Sequence, residues 1–537
     1  MKRIVGKALA ALVASGLLLA SCSKDSNLGL ENHITSEETQ PTHLTAEQVD
    51  DYIIETIKRT EDSFDWSEAS DEVMWAATRL SDEIVVVGYK PESWSDEDAR
   101  DYMFTYEEGK SLSDEVLQAK KGILSALNID ETADLSEYIV NENDNFMSLH
   151  LKINDIASLK ALRTSKYVRY VDATYHPAPS QEEGVVTERS DLSRVGCYPA
   201  YPDFSLRENY DYAHIHPRAK ISWNYRYHKI KEAWERGGVT GKGTGKGIGI
   251  AMLDTGLALN QQSLSTTSGL NGGYVRGRSI DSWNFLDRWQ TVDDFCGHGT
   301  NLTGVVGAPR RGLGAMVGVA YGSNLYSFKV TEGVLIRGSN VINAVANGYG
   351  NAGRRHGVRI INLCMGNIVR IHEVADAIVY AYRKGKLNFV AAGTHTHLTD
   401  LTSYIPSLSR IVFPANMTEY GGDVVLGISG INTHYQRCSE CVQGPNVDFV
   451  VVMEQMNGTF PLGMSRYSNF PTQVGGSSVA TATMSGIAAI VWGKTPTRPR
   501  ADVVRALRAT SDFPNGNNPI FGHGKANALA AWNRMPW

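Results

Sequence analysis

The chain has 537 residues, of which 42% are hydrophobic and 20% are charged, and its 52 basic and 58 acidic residues give a net charge of -6. This length suits roughly two to four domains, and the composition is that of a globular protein rather than a disordered chain or one with many membrane spans. The charge is too small, and the Lys and Arg residues too scattered, to indicate a nucleic-acid-binding surface.

Residues 1–21 are predicted to be a signal peptide, because a basic start is followed by an apolar stretch over 8–20 that is too short to span a bilayer comfortably. Leu19-Ala20-Ser21-Cys22 resembles the bacterial lipobox, which implies that Cys22 is lipidated and becomes the new N-terminus. An ordinary secretory peptide is the weaker alternative. We therefore expect an exported protein, anchored by lipid in the cell envelope through a polar tether over 22–43. The periplasmic and outer-surface faces both stay open.

Five cysteines remain after Cys22, and an odd number in an exported protein leaves at least one free thiol or an intermolecular bond. Cys438-Ser439-Glu440-Cys441 has the spacing of a redox or zinc pair, but no second pair or histidine cluster lies at ligand spacing. A local disulfide or two plain thiols is therefore favoured. The remaining three cysteines are Cys197, Cys296 and Cys364.

The N-terminal half is predicted to contain a helical segment over 44–79 and a small α+β domain over 80–175. Thr45 and Gln48 form a capping box at the start of the first helix. In the small domain, apolar patterns indicate strands and helices in the order β-α-β-β-α-β, which is ferredoxin-like. The predicted elements are a strand at 84–89, a helix at 113–127, two strands within 138–153, a helix after Asp155 and a strand at 167–171. A polar linker follows over 176–221.

The second large domain is predicted over 222–537. Its near-continuous apolar runs are typical of buried parallel strands, and helical patterns at 338–352 and 372–383 lie between them. Strands that alternate with helices predict a doubly wound α/β sheet with its site at the carboxyl ends of the strands. The apolar runs are 247–253, 325–330, 360–364, 387–392 and 424–428.

Three motifs in this domain carry residue types used in nucleophilic catalysis. Leu253-Asp254-Thr255-Gly256 ends a predicted strand, and Gly297-His298-Gly299-Thr300 opens a helix of small residues. Neither is specific alone, since Asp-Thr-Gly is common in turns and a lone histidine is more often structural. Gly475-Gly476-Ser477-Ser478 opens a helix that is apolar on nearly all faces and therefore buried.

A serine at the start of a buried helix lies beside unpaired backbone N–H groups and the positive end of the helix dipole. Those donors can stabilise an oxyanion while His298 takes the proton of Ser478 and Asp254 orients the imidazole. Taken alone, Ser477 or Ser478 would more simply be a helix cap. The three motifs together, in the order Asp, His, Ser, favour catalysis.

The three motifs closely resemble those of the subtilisin-like serine proteases, or subtilases, over about residues 247–531. Flanking segments agree with that family: Val317-Gly318-Val319-Ala320, Ile361-Asn362-Leu363-Cys364-Met365-Gly366 and Gly522-His523-Gly524-Lys525-Ala526-Asn527. The resemblance implies that Asp254, His298 and Ser478 are catalytic. It also implies that an extended peptide adds as a strand near Cys364, Met365 and Gly366, with its side-chain pocket walled by Ala391, Ala392 and Gly393.

The domain over 80–175 resembles the inhibitory propeptide of the same family, most strongly from Leu159-Lys160-Ala161-Leu162 through Tyr170-Val171-Asp172, where a helix runs into a final strand. This implies a zymogen that is cut within the linker. Family members often bind calcium structurally, but no loop here has enough clustered oxygen ligands to name a site. We expect no cofactor, no metal site and no nucleic-acid partner. The expected partners are a peptide or protein substrate, the chain's own propeptide and a membrane.

Four departures from the family pattern stand out. Thr394 replaces the Asn that normally follows Ala391-Ala392-Gly393 and donates to the oxyanion, which predicts reduced turnover. Asn301, the Ala482-Thr483 pair and the Cys364-Met365 pair are interpreted as packing variation. The leading hypothesis is a serine endopeptidase, and the alternative is a catalytically weakened, peptide-binding lipoprotein with this fold. An esterase-type hydrolase is disfavoured, because that fold uses Gly-x-Ser-x-Gly and a different chain order of its triad.

Overall fold

The computed structural model describes residues 44–130, 133–177, 196–197, 201–261, 263–264, 278–312, 314–394, 412–516 and 518–537. These lie in one compact unit, Leu44–Trp537. The predicted signal peptide and the whole predicted tether, with Cys22, lie outside the described residues. Within the described part of the chain, no helix combines the length and the apolar character that a membrane span requires.

Two helices, Ala46–Thr60 and Asp71–Arg79, begin the described chain. The predicted capping box is present: Thr45 Oγ1 accepts from Gln48 N, and Gln48 Oε1 accepts from Thr45 N. The loop between the helices places Phe64 and Trp66 in the core, where they are 1% and 0% exposed. Its backbone pairs with a distant segment, since Phe64 N donates to the carbonyl of Ile368.

A four-stranded antiparallel sheet follows, in the spatial order Ile139–Asn143, Ser148–Lys152, Ile84–Tyr89 and Val168–Ala173. Its helices are Asp96–Thr105, Asp114–Ala126 and Ile156–Thr164. The elements follow the β-α-β-β-α-β order given by the sequence, except that the first helical connection contains two helices. Asp96–Thr105 was not predicted, because only Ala99 and Met103 of its acidic sequence are buried.

The linker contains structure that its sequence did not indicate. Tyr212–Ile215 and Ala219–Ser222 form a two-stranded antiparallel hairpin. Upstream of the hairpin, Cys197 forms a disulfide with Cys296, which lies two residues before His298. The linker is therefore covalently bound to the loop that precedes the candidate histidine.

The large domain is a seven-stranded sheet in which every pairing is parallel. The predicted doubly wound α/β class is confirmed. In spatial order the strands are Phe449–Glu454, Leu426–Asn432, Leu387–Ala391, Val358–Leu363, Gly249–Asp254, Asn324–Lys329 and Ile280–Asn284. Helices and a small hairpin surround it: Ile230–Gly237, His298–Gly307, Gly338–Arg354, His372–Arg383, Gly476–Gly493, Arg500–Thr510 and Ala528–Arg534, with Leu462–Met464 paired to Pro471–Gln473.

The sheet has a hydrophobic core on each face, because successive strand residues point to opposite sides. Ala251 and Leu253 pack with the core that includes helices Gly338–Arg354 and His372–Arg383. Ile250 and Met252 pack with the core that includes helix Gly476–Gly493. This helix is apolar all round and buried, as its sequence predicts.

The four-stranded sheet packs against helices Gly338–Arg354 and His372–Arg383 through buried polar groups. His150 Nε2 lies 2.6 Å from Glu373 Oε2, and neither side chain is exposed. Arg169 pairs with Asp376 at 2.8 Å, and both side chains are 2% exposed. Because unpaired charges at such depth are costly, these pairs fix the position of the four-stranded sheet on helix His372–Arg383.

Candidate active site

Asp254 ends its strand at the carboxyl edge of the parallel sheet, and His298 begins the helix beside it. The Asp254 side chain is 1% exposed and the His298 side chain 12% exposed. His298 Nδ1 lies 2.7 Å from Asp254 Oδ1, which also accepts from Thr255 N at 2.8 Å. Asp254 Oδ2 has no hydrogen-bond partner among the described residues. The contact with the carboxylate assigns the proton to Nδ1 and leaves Nε2 as the nitrogen that can accept a proton.

The charge on Asp254 controls the ionisation of His298. Burial opposes a charged imidazole, but the Asp254 carboxylate outweighs burial through its charge and hydrogen bond and raises the pKa of His298 above its usual value. The charge of Asp294 adds to the increase in this pKa. The site therefore stabilises an imidazolium, which is the form a general base takes after it accepts a proton.

Asp294 is a residue of the site that sequence reasoning missed. Its fully buried carboxylate accepts four hydrogen bonds: one oxygen from Thr255 Oγ1 (2.8 Å) and Gly297 N (2.7 Å), the other from Thr300 N (2.8 Å) and Thr300 Oγ1 (2.7 Å). It thus ties the turn after Asp254 to the start of the His298 helix. Its position four residues before His298 was the available signal, but the adjacent Asp293 is indistinguishable from it by sequence alone.

Ser478 lies in the first turn of helix Gly476–Gly493, and its side chain is partly exposed, whereas Ser477 is 1% exposed. The helix start meets the carboxyl ends of two strands. Gly393 N donates to Ser477 Oγ at 3.2 Å, and the Cys364 thiol donates to the carbonyl of Ser478 at 3.3 Å. Ser478 is therefore at the same edge as Asp254 and His298. No hydrogen bond joins Ser478 Oγ to His298 within the described residues, and such contacts are often loose before substrate binds.

Cys364 lies beneath the serine and close to the acid. Burial raises the pKa of its thiol, and the charge of Asp254 adds to that increase. It is a free, buried cysteine, 2% exposed, so little of its side chain is open to solvent. The predicted odd thiol is therefore Cys364, and the predicted local disulfide between Cys438 and Cys441 is present.

Thr394, predicted at the oxyanion position, is hydrogen-bonded to Ser477. Its Oγ1 accepts from Ser477 N at 3.2 Å and lies 3.0 Å from Ser477 Oγ. The hydroxyl thus satisfies a backbone donor at the start of the helix, as a capping residue does. Thr394 lines the same pocket as Ser478, but its hydroxyl is hydrogen-bonded to Ser477, the residue before the candidate nucleophile.

A pocket of about 50 Å³ opens beside Ser478. The residues that line it include Cys364, Met365 and Gly366, predicted to pair with an extended peptide, and Ala391 and Gly393, predicted as pocket walls, together with Thr394, Ser477 and His176. Ala392 differs from the prediction: it is fully buried, and its carbonyl accepts from Val412 N. Val412 lies between Gly366 and Gly393. Its Cγ2 would be 2.9 Å from a Cβ added to Gly366 and 3.6 Å from a Cβ added to Gly393.

The edge predicted to receive a peptide strand is occupied by the chain itself. Gly366 N donates to the carbonyl of Val334 at 3.2 Å, and Ile336 N donates to the carbonyl of Gly366 at 3.1 Å. Residues 334–336 therefore pair in parallel with Gly366. Among the described residues, no group of three or more His, Cys, Asp or Glu side chains is placed to hold a metal ion.

The parallel sheet with Asp254, His298 and Ser478 at one edge, in this chain order, has the architecture of a subtilisin-like α/β protein. The subtilase family profile matches residues 245–524, more than half of the chain. The chain belongs to the subtilase family.

Among similar proteins, M-protease from Shouchella clausii (strain KSM-K16) is 28% identical over 288 residues, which are 54% of this chain and 65% of M-protease. Subtilisin BL from Lederbergia lenta is also 28% identical over 288 residues and is covered to 91%. Thermitase from Thermoactinomyces vulgaris is 24% identical over 287 residues and is covered to 89%. The chain also matches the crystal structure of MycP1 from the ESX-1 type VII secretion system, with a TM-score of 0.46 and 22% sequence identity. The match covers 67% of this chain and 97% of the MycP1 chain.

Proposed function

We propose that the chain is a serine endopeptidase that hydrolyses peptide bonds through Asp254, His298 and Ser478. The observation that carries the proposal is the 2.7 Å contact between His298 and Asp254 at the edge where Ser478 begins a buried helix. His298 Nε2 takes the proton of Ser478 Oγ as that oxygen attacks the peptide carbonyl, and Asp254 holds the imidazole in place. The leaving amine takes the proton from His298, and water then hydrolyses the acyl-enzyme.

The negative oxygen that forms during attack needs hydrogen-bond donors. The first backbone N–H groups of helix Gly476–Gly493 have no partner within the helix, and the helix dipole favours negative charge at this end, where Ser478 lies. Thr394 is the second candidate donor. Because its hydroxyl is bonded to Ser477, we expect its contribution to be small.

We also propose that the protein is made as a zymogen, with residues 80–175 as its inhibitory propeptide. The final strand of that domain, Val168–Ala173, leads toward the pocket beside Ser478. Gly338 N donates to the carbonyl of Thr174 at 3.3 Å, and His176 Nδ1 lies 2.8 Å from Asn367 Oδ1. Burial lowers the pKa of His176 to about 4, so the histidine is neutral at this position. We expect cleavage between about residues 172 and 215.

The second candidate function is a peptide-binding lipoprotein that cuts rarely. Two observations favour it: the Thr394 hydroxyl is bonded to Ser477, and the peptide edge at Gly366 is occupied by residues 334–336. Lipidation at Cys22 would anchor either protein in the cell envelope.

The test uses the chain from residue 23 onward, treated with a fluorophosphonate probe and analysed by intact mass. Labelling should occur in the wild type and be lost in Ser478→Ala, while Ser477→Ala, the matched control one residue away, should still be labelled. Labelling that survives in Ser478→Ala would assign the nucleophile to another serine. An unlabelled wild type that still binds peptide would support the second candidate.

Processing has its own measurement. Active wild-type protein should yield two fragments with a junction between about residues 172 and 215, and Ser478→Ala should stay intact. Because Cys22 lies before the cut, membrane fractionation of the two forms should differ unless the fragments stay together. A single uncut chain in active protein would contradict the zymogen proposal.

A further inference from the structure

The segment 334–336 closes the edge where a substrate would bind. A peptide that adds as a strand needs a free N–H and a free C=O on the receiving edge. At Gly366 both groups are already bonded, to Val334 O and Ile336 N. Ile336 is fully buried and its carbonyl accepts from Asn367 Nδ2 at 2.7 Å, so this segment, which we call the strap, is held along its length.

Two linker residues, Gly196 and Cys197, contact the strap and the segment just before it. Gly196 packs directly on Val334, since a Cβ added to Gly196 would lie 2.5 Å from Val334 Cγ2. Cys197 Sγ lies 3.2 Å from the carbonyl oxygen of Glu332, just before the strap. Gly196 has a φ of +78°, a conformation that favours glycine and allows this close approach. The two linker residues thus pack on the strap at Val334 and contact the segment just before it.

The position of these two linker residues is fixed by a covalent bond. Cys197 is joined to Cys296, in the loop that leads to His298. A cut in the linker that leaves Gly196 joined to Cys197 does not affect this bond, so Gly196 would stay packed on Val334 after processing. Only a break of the disulfide itself releases the support.

We propose that the Cys197–Cys296 disulfide locks the strap over the peptide-binding edge, and that its reduction opens the edge to extended polypeptides. This inference rests on the proposed peptidase function. A dithiol reductant supplies two electrons and two protons: the S–S bond breaks, Cys197 and Cys296 become thiols, and the reductant becomes a disulfide. Only molecules with an open edge bind a long peptide. The apparent dissociation constant is therefore the intrinsic one divided by the fraction of molecules whose edge is open.

The test compares wild-type protein with the double variant Cys197→Ser, Cys296→Ser. Two substrates are used, one with at least four residues before the scissile bond and one with a single residue, which does not reach the edge. The ratio of kcat/KM for the long substrate to that for the short one should rise at least roughly tenfold in the double variant, and in the wild type after reduction. Val334→Gly, which removes the side chain on which Gly196 packs, should raise the ratio with the disulfide intact.

A readout that does not need activity separates this inference from the peptidase proposal. Hydrogen exchange at the amides of Gly366 and Ile336 should be slow in the wild type and faster in the double variant, in a Ser478→Ala background as well. Equal exchange in both forms, or an unchanged ratio, would overturn the proposal. Adding reductant to the double variant should change nothing further. A further gain would assign the effect to Cys438–Cys441 and would also overturn it.

Discussion

Replacing Thr394 by Asn should increase turnover, because it adds a donor that the site lacks. The Thr394 hydroxyl accepts from Ser477 N and lies 3.0 Å from Ser477 Oγ. An oxyanion donor is worth about 10²–10³ in kcat. The new side chain must give up the bond that Thr394 Oγ1 accepts from Ser477 N, a helix-capping contact worth about 1 kcal/mol. We therefore expect a rise in kcat of roughly tenfold, below the full value of a donor.

Saturation kinetics on one peptide substrate measure this change, and KM should move less than kcat. Thr394→Val is the matched control, since it keeps the shape and removes the hydroxyl. If the hydroxyl is committed to Ser477, this variant should lose little kcat. A drop of about 100-fold in Thr394→Val, or an unchanged or lower kcat in folded Thr394→Asn, would show that Thr394 already donates to the oxyanion and would refute the reasoning.

Three further predictions concern other parts of the structure. Asp294→Asn should lower the melting temperature, because an amide leaves at least one buried donor unpaired, at a cost of about 1–3 kcal/mol. It should also shift the acid limb of the kcat/KM profile to lower pH, because it removes a charge that raises the pKa of His298. His372 has a pKa of about 9, raised against burial by Asp172. Its stabilisation should be complete below about pH 6.5 and be lost as the pH rises through 9, measured by urea unfolding of wild type and His372→Gln. Val412→Gly should deepen the pocket and raise kcat/KM roughly tenfold for peptides with a large apolar residue before the scissile bond.

Each of these predictions has a contrary outcome. An unchanged acid limb in Asp294→Asn would reduce that residue to a purely structural role. A stability difference between wild type and His372→Gln that persists at pH 10 would show that the charge of His372 is not its cause. If Val412→Gly leaves the preference for small and large residues unchanged, Val412 does not limit the pocket.

The sequence predicted elements well where one pattern dominates. Helix His372–Arg383 was predicted with its observed bounds, because its apolar residues recur at helical spacing and its core face is buried. Strand Ile280–Asn284 was not predicted: it lies at the edge of the sheet, most of its residues are half-buried, and no continuous apolar run marks it. Strand Phe449–Glu454 was also missed, although its consecutive valines offered a usable signal.

The site shows a similar division between what motifs reveal and what only folding reveals. Asp254, His298 and Ser478 could be singled out because each lies in a short motif. The closed edge at Gly366 could not, because it depends on the register between two segments about 30 residues apart in the chain. The pairing of Cys197 with Cys296 was equally unreadable, since five cysteines allow several connectivities.

The same disulfide determines which pieces of a cut chain remain one molecule. Its partners are 99 residues apart, and Cys197 lies inside the stretch from 172 to 215 where we expect cleavage. A cut before Cys197 would leave the N-terminal fragment attached only by non-covalent contacts. A cut after Cys197 would leave both fragments joined through sulfur, so they would separate on a denaturing gel only after reduction. A pair of gels, run with and without reductant, therefore locates the cut relative to Cys197.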